Sequence, residues 1–156
     1  MEQMVLDIEV REQSYQPVVS IRTTTDVRQL PNLIGESYMK IIQYLGELDV
    51  EPVGPPFVAY YNMDMENLDV EIGYPVDDVV PGDKDMCPGE IEKSKVVSCM
   101  YKGPYVGMVE AYDAMNEYIN EKGLTPKGTS YEVYYNSPDE VASPDDLLTR
   151  IDIPIL

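Results

Sequence analysis

The segment from Ile34 to Asn62 returns without a gap as Met108 to Asn136, 74 positions further on. Identities fall at Glu36/Glu110, Tyr38/Tyr112, Tyr44/Tyr118, Glu47/Glu121, Pro52/Pro126, Gly54/Gly128, Tyr60/Tyr134, Tyr61/Tyr135 and Asn62/Asn136, nine matches in 29 positions. Flanking pieces match with slips in register: Val18-Val19-Ser20 meets Val96-Val97-Ser98 at offset 78, and Ile72 to Val76 meets Ile151 to Ile155 at offset 79. The period is too long for a solenoid repeat. A chain of this kind is one small module written twice, and 156 residues suit two half-domains that share a core. A groove between related modules is a natural ligand site, and residues that differ between the copies would give it its chemistry.

The formal net charge of -18 argues against gripping phosphate backbones, which takes clustered Lys and Arg, so no direct nucleic-acid partner is expected. The same surface raises the local concentration of cations and favours cationic or neutral organic ligands over anionic ones. The chain lacks a charged segment followed by an apolar one of the signal-peptide kind. It also lacks an apolar run near the roughly 20 residues of a membrane span, so it reads as cytoplasmic and not membrane-bound. Cys87 and Cys99 are the two cysteines and are expected to be reduced, although a hairpin turning near Lys93 would set them opposite each other. With no histidine, a Ser-His or Cys-His nucleophile is impossible and the usual tetrahedral zinc site has too few ligands. No metal and no cofactor are expected, and any catalysis must run on carboxylates and phenols.

Met4 to Val10 and Pro17 to Thr23, separated by REQSYQ, read as the strands of a hairpin. Ile34, Tyr38, Ile41, Leu45 and Leu48 then line one face of a helix for which Asn32 is the expected N-cap. Phe57 to Asn62 and Leu68 to Val76 close the first module as two more strands. The second copy offers a strand at Val96 to Tyr101, a Gly103-Pro104 turn and a helix carrying Met108, Tyr112, Met115 and Ile119 with Gly123 at its C-prime position. Strands at Tyr131 to Asn136 and Leu148 to Ile155 complete it. The fold class is therefore α+β: a pseudo-twofold duplication of a hairpin, helix and hairpin, with antiparallel sheets, helices on one face and a ligand groove between the modules. It forms a single domain over 1–156, with module one at about 1–76, a linker at about 77–85 and module two at about 86–156.

Each helix has one apolar stripe, so it should cover one face of its strands and leave the other for the groove. Alternation then separates Tyr131, Val133 and Tyr135 from Glu132, Tyr134 and Asn136, and Glu132 stands where the first copy has Val58. Val70, Ile72 and Tyr74 go with the first helix and leave Glu71 to the groove; Arg150 and Asp152 are left by the second copy. Met100 shares parity with Ser98 and could floor the groove. Tyr38, Tyr112, Tyr44 and Tyr118 lie at core or rim spacing on the helices and read as packing residues.

The run VVSCMYKGPY from Val96 to Tyr105, the helix ending at Gly123, Tyr131-Glu132-Val133-Tyr134 and Ile151-Asp152-Ile153-Pro154 together resemble the GyrI-like small-molecule-binding domains. These also serve as effector-binding modules of AraC-type and MerR-type multidrug-responsive regulators. The resemblance covers essentially the whole chain and implies a groove with an acidic residue at its base, which Glu132 matches. Around it the expected ligand-binding set is Glu132, Tyr134, Tyr60, Tyr105, Met100, Glu71 and Asp152. Regulators carry a DNA-binding segment ahead of this domain, and with a first strand at about Met4 the chain is expected to stand alone.

Three functions follow. The first is a binding module for a hydrophobic small molecule, cationic ones included. The second is a hydrolase of cyclopropane-bearing toxins, with Glu132 as general base and Tyr134 or Tyr60 donating to the oxyanion. The third is an interaction protein like the gyrase inhibitors, with a regulator or gyrase as its protein partner.

Overall fold

A computed structural model describes residues 7–83 and 85–156. Met4 to Leu6 of the expected first strand lie outside them. The chain forms β1 (Asp7–Gln13), β2 (Gln16–Thr25), α1 (Leu30–Glu47), β3 (Phe57–Tyr60), β4 (Leu68–Pro75), β5 (Cys87–Ile91), β6 (Ser94–Lys102), α2 (Met108–Glu121), β7 (Ser130–Tyr134) and β8 (Leu148–Ile155). The α+β class read from the sequence is the observed one. Among the described residues no helix is long and apolar enough to cross a membrane.

Two compact units divide the chain: Ser14–Lys93, and Ser94–Leu156 together with the residues up to Gln13. In the first unit β5 pairs with β2, β2 with β4 and β4 with β3, all antiparallel. In the other, β1 pairs with β6, β6 with β8 and β8 with β7, again antiparallel. Strand order inside each unit is thus the same. The expected β1–β2 hairpin is not formed, because β1 is hydrogen-bonded to β6 over Asp7–Gln13 instead. The two residues between them, Ser14 and Tyr15, include no Asn-Gly or Gly of the kind a two-residue hairpin turn demands. Nor do β5 and β6 form a hairpin: Cys87 pairs with Ser20 and is exposed, Cys99 is buried, and both are free thiols. Burial pushes the Cys99 thiol up to about 11, so it is inert at neutral pH.

Within the unit holding α1, Val19, Ile21, Ile41 and Leu45 form the core with Val76 and Val80. Val80 belongs to the expected linker and is buried, and the Tyr44 hydroxyl donates to the Pro81 carbonyl, so at these two residues the linker is packed on the unit. Helix α1 begins before Asn32. Pro31 is accommodated in the first turn, the N-cap is Gln29 without a side-chain cap bond, and Asp26 accepts the backbone N–H groups of Arg28 and Gln29 in the turn ahead of the helix.

At the C-terminus of α2, Gly123 at φ +66° lets the Leu124 N–H reach the Ile119 carbonyl at 3.0 Å and its own N–H reach Asn120 at 3.2 Å. The same bonds close α1, from Val50 to Leu45 at 2.9 Å and from Asp49 to Gly46 at 3.2 Å, but there Asp49 takes the left-handed position at φ 57°. Left-handed backbone costs a non-glycine residue about 1–2 kcal/mol, part of which glycine's greater unfolded-state entropy cancels. Asp49→Gly should therefore stabilise the protein by about 0.5–1 kcal/mol, raising the midpoint of a thermal melt by about 2 °C. A lowered midpoint would show that the aspartate makes a compensating contact.

The second core packs Met108, Ala111, Met115 and Ile119 of α2 on Val97, Cys99, Tyr101, Ile151, Ile153 and Ile155. Tyr101 is fully buried and its hydroxyl donates to the Pro104 carbonyl at 2.6 Å, pinning the turn that leads into α2. A Cβ on Gly107 would lie 2.2 Å from that hydroxyl. Although alanine favours helix over glycine, the clash dominates, because Tyr101 has nowhere to retreat. Gly107→Ala should cost about 2–3 kcal/mol and lower the melting midpoint by roughly 5–10 °C; adding Tyr101→Phe should restore part of it by removing the colliding oxygen.

Candidate functional site

Which face of the sheet each residue occupies follows from register, since opposed residues of antiparallel strands point the same way. Glu132 pairs with Ile151 and Tyr134 with Thr149, and Ile151 is core beneath α2. Glu132 and Tyr134 therefore lie on the helix-covered face, not on the face turned away from α2 as the sequence reading had it. The repeat already held this answer: Val58, the counterpart of Glu132, pairs with Ile72, a residue assigned to the helix side from its alternation.

Glu132 is 8 % exposed. Its Oε2 accepts the Tyr112 hydroxyl at 2.5 Å and its Oε1 the Tyr134 hydroxyl at 2.6 Å. Tyr105, on the short 3-10 turn Tyr105–Gly107 ahead of α2, makes a T-shaped contact with Tyr134 at 5.9 Å between ring centroids and is 42 % exposed. Burial drives the Glu132 carboxyl above its ordinary range, opposed by the two phenol hydrogen bonds. Tyr105 is raised as well, first by burial and then by the Glu132 charge.

Tyr112 is the member that sequence reasoning assigned to packing alone. Its helical spacing is that of a core residue, and only the face of β7 reveals that it meets a carboxylate. Tyr38, its counterpart in the first copy, faces no such acid at Val58 and packs edge-on against Tyr74 at 5.4 Å.

Met100 and Asp152 of the expected set are not brought together with Glu132. Met100 pairs with Arg150, and Asp152 with Ser98 and Tyr131, so both sit on the opposite face of the same strands. There Asp152, 3 % exposed, accepts Arg11 at 2.6 Å, Arg150 at 3.0 Å and the Ser98 hydroxyl at 2.7 Å. Arg150 also donates to the Tyr135 hydroxyl at 2.8 Å. Tyr60 and Glu71 belong to the unit of Ser14–Lys93. In that unit Tyr60 pairs with Val70 on the α1 side, whereas Glu71 faces away from α1 and accepts the hydroxyls of Ser20 at 2.6 Å and of Tyr61. Arg22 stacks 3.8 Å above the Tyr61 ring and pairs with Asp69 at 2.7 Å, which holds the Asp69 carboxyl below its usual range. Among the described residues no cluster of three or more metal-ligating side chains occurs.

On the α2 side of β7, then, one buried carboxylate meets two phenols. Residues 6–156 match the GyrI-like small molecule binding domain, and the chain belongs to that family. Solved structures agree in fold. The chain is similar to EcmrR, both in its complex with DNA (TM-score 0.78, 19 % identity, 96 % of this chain and 57 % of that one) and as its C-terminal domain alone (0.76, 20 %, 98 % and 99 %). It thus spans little more than half of the EcmrR chain seen on DNA. It is also similar to a hydrolase encoded by lin2189 from Listeria innocua (0.69, 15 %, 96 % and 91 %) and to SAV2435 bound to tetraphenylphosphonium (0.62, 14 %, 96 % and 97 %). No curated protein matches by sequence.

Proposed function

We propose that this chain is a receptor for amphipathic organic cations, and that Glu132 is the residue that selects them. The observation carrying this reading is a contrast among acids. Among the described residues Asp152 has two arginines and Asp69 has one. Glu71, met by the hydroxyls of Ser20 and Tyr61, is only part-buried and lies near the Arg22 charge. Glu132 is buried and its two hydrogen-bond donors are neutral phenols. A carboxylate removed from water and given only neutral donors is electrostatically incomplete, and a cation completes it. The faces of Tyr105 and Tyr134 add about 0.5–2 kcal/mol each to such a ligand. The tetraphenylphosphonium carried by SAV2435 is a guest of this class. Likeness to EcmrR suits a sensing or sequestering role in which nothing is turned over.

Calorimetric titration with tetraphenylphosphonium and with triphenylphosphine oxide, similar in bulk and uncharged, tests the reading. The cation should bind at least tenfold more tightly; equal affinities discard the charge argument.

One observation favours a second reading, hydrolysis. An acid pushed upward by burial and flanked by phenols has the parts of a general base with oxyanion donors, Glu132 with Tyr134 or Tyr112. Incubation with a cyclopropane-bearing alkylator should then give ring-opened product by mass spectrometry. Its absence at high protein loading removes this reading and leaves the first intact.

A further inference from the structure

Thr149 lies on β8 directly between Tyr101 of β6 and Tyr134 of β7. Its side chain shares the α2 face with Glu132 and stands diagonal to it, roughly 7 Å away across the sheet. The residue is 1 % exposed, and among the described residues its Oγ1 has no hydrogen-bond partner. Neither neighbouring phenol is directed to it: Tyr134 donates to Glu132 and Tyr101 to the Pro104 carbonyl. Native proteins keep few such orphans, because a buried hydroxyl with no partner is destabilising. Valine has the same shape without that cost, and the inward positions that follow on this strand are apolar: Ile151, Ile153 and Ile155. A threonine here is therefore a feature in want of a partner.

We infer that Thr149 is the second polar anchor of the Glu132 site, so that the favoured guest is a flat organic cation bearing a hydrogen-bonding substituent, such as an amine, hydroxyl or ether, roughly 7 Å from its positive centre. This rests on the reading of Glu132 given under Proposed function. The hydroxyl can donate or accept, which fits a guest defined by geometry more than by one functional group.

The test compares Thr149→Val and Thr149→Ser with the unaltered protein, using ethidium, a flat cation with exocyclic amines, and tetraphenylphosphonium, which has no hydrogen-bonding group. The valine variant should bind ethidium roughly tenfold more weakly and tetraphenylphosphonium unchanged, and the serine variant should recover most of the ethidium affinity. Its ligand-free melting midpoint should stay the same or rise. Equal loss for both ligands, no loss for ethidium, or a midpoint lowered by several degrees overturns the inference while the Glu132 reading stands. If the unaltered protein binds neither cation, that reading falls and this inference with it.

Discussion

Asp152→Ala is expected to lower stability by about 3–4 kcal/mol, whereas Arg11→Met should cost only about 1 kcal/mol. The asymmetry follows from the count of partners. Asp152 is the shared acceptor of Arg11, Arg150 and Ser98, so its removal leaves two guanidinium groups facing each other on one sheet face. Losing Arg11 leaves the carboxylate with Arg150 and the serine. Side-chain exposure of 27 % on each arginine, against 5 % on the aspartate, lets water soften the first cost but not cancel it. Arg11 is carried by β1 and Asp152 by β8, with β6 between them, so the hub also fastens the N-terminal strand across three strands. Urea denaturation of the two variants at neutral pH checks this; equal losses would mean that Asp152 is held chiefly by hydrogen bonds and that the charges contribute little.

How far the sequence could be read depended on whether neighbours in the fold were also neighbours in the chain. Helix α2 was legible to its last residue, because the spacing of Met108, Met115 and Ile119 and the glycine at 123 are local signals. Strands β3, β4, β6 and β7 were found through alternation with ends off by one or two residues, and β8 with both ends as observed. The partner of β1 was not legible. Proximity suggested β2, while the real partner, β6, lies 81 to 93 positions away, from Gln13↔Ser94 to Asp7↔Met100, and only the absence of a turn glycine between Gln13 and Gln16 argued against the hairpin. Edge strand β5 was obscured by its own Pro88 and Gly89, residues that an edge tolerates and a strand search penalises.

In the site, alternation divides β7 into two sets but cannot say which set faces the helix; that is decided by register against β8. Glu132 and Tyr134 were therefore paired correctly with each other and assigned to the wrong face. Met100 of β6 and Asp152 of β8 were grouped with them, although register sets Glu132 beside Ile151 and leaves Met100, beside Arg150, and Asp152, beside Tyr131, on the other face. Tyr112 could have been recovered from the repeat. Its twin Tyr38 lies on the helix that covers Val58, so a tyrosine at the same place must cover Glu132.

Glu132→Gln is expected to weaken tetraphenylphosphonium binding at neutral pH by about 2 kcal/mol or more, at least thirtyfold, and to do so without unfolding the protein. Glutamine keeps the shape and still serves both phenols, its oxygen accepting from one and its N–H donating to the oxygen of the other. The change of charge thus separates cleanly from the change of packing. The same substitution carries a pH signature. Burial raises the folded-state pKa of Glu132 above its unfolded value, so the stability this group contributes is fully present below the ordinary carboxylate range and is lost as pH rises through the raised value. Above that value the unpaired charge is a burden that the glutamine variant does not bear, so the variant should melt higher than the unaltered protein at neutral pH and converge with it in acid. Cation affinity runs the opposite way, rising with pH through the same window in the unaltered protein and staying flat in the variant. A ligand that repairs a buried charge should stabilise most where the free protein is least stable, and melting curves with and without the cation across that window read both trends at once. Affinity that ignores pH while Glu132 titrates would mean that the guest sits elsewhere.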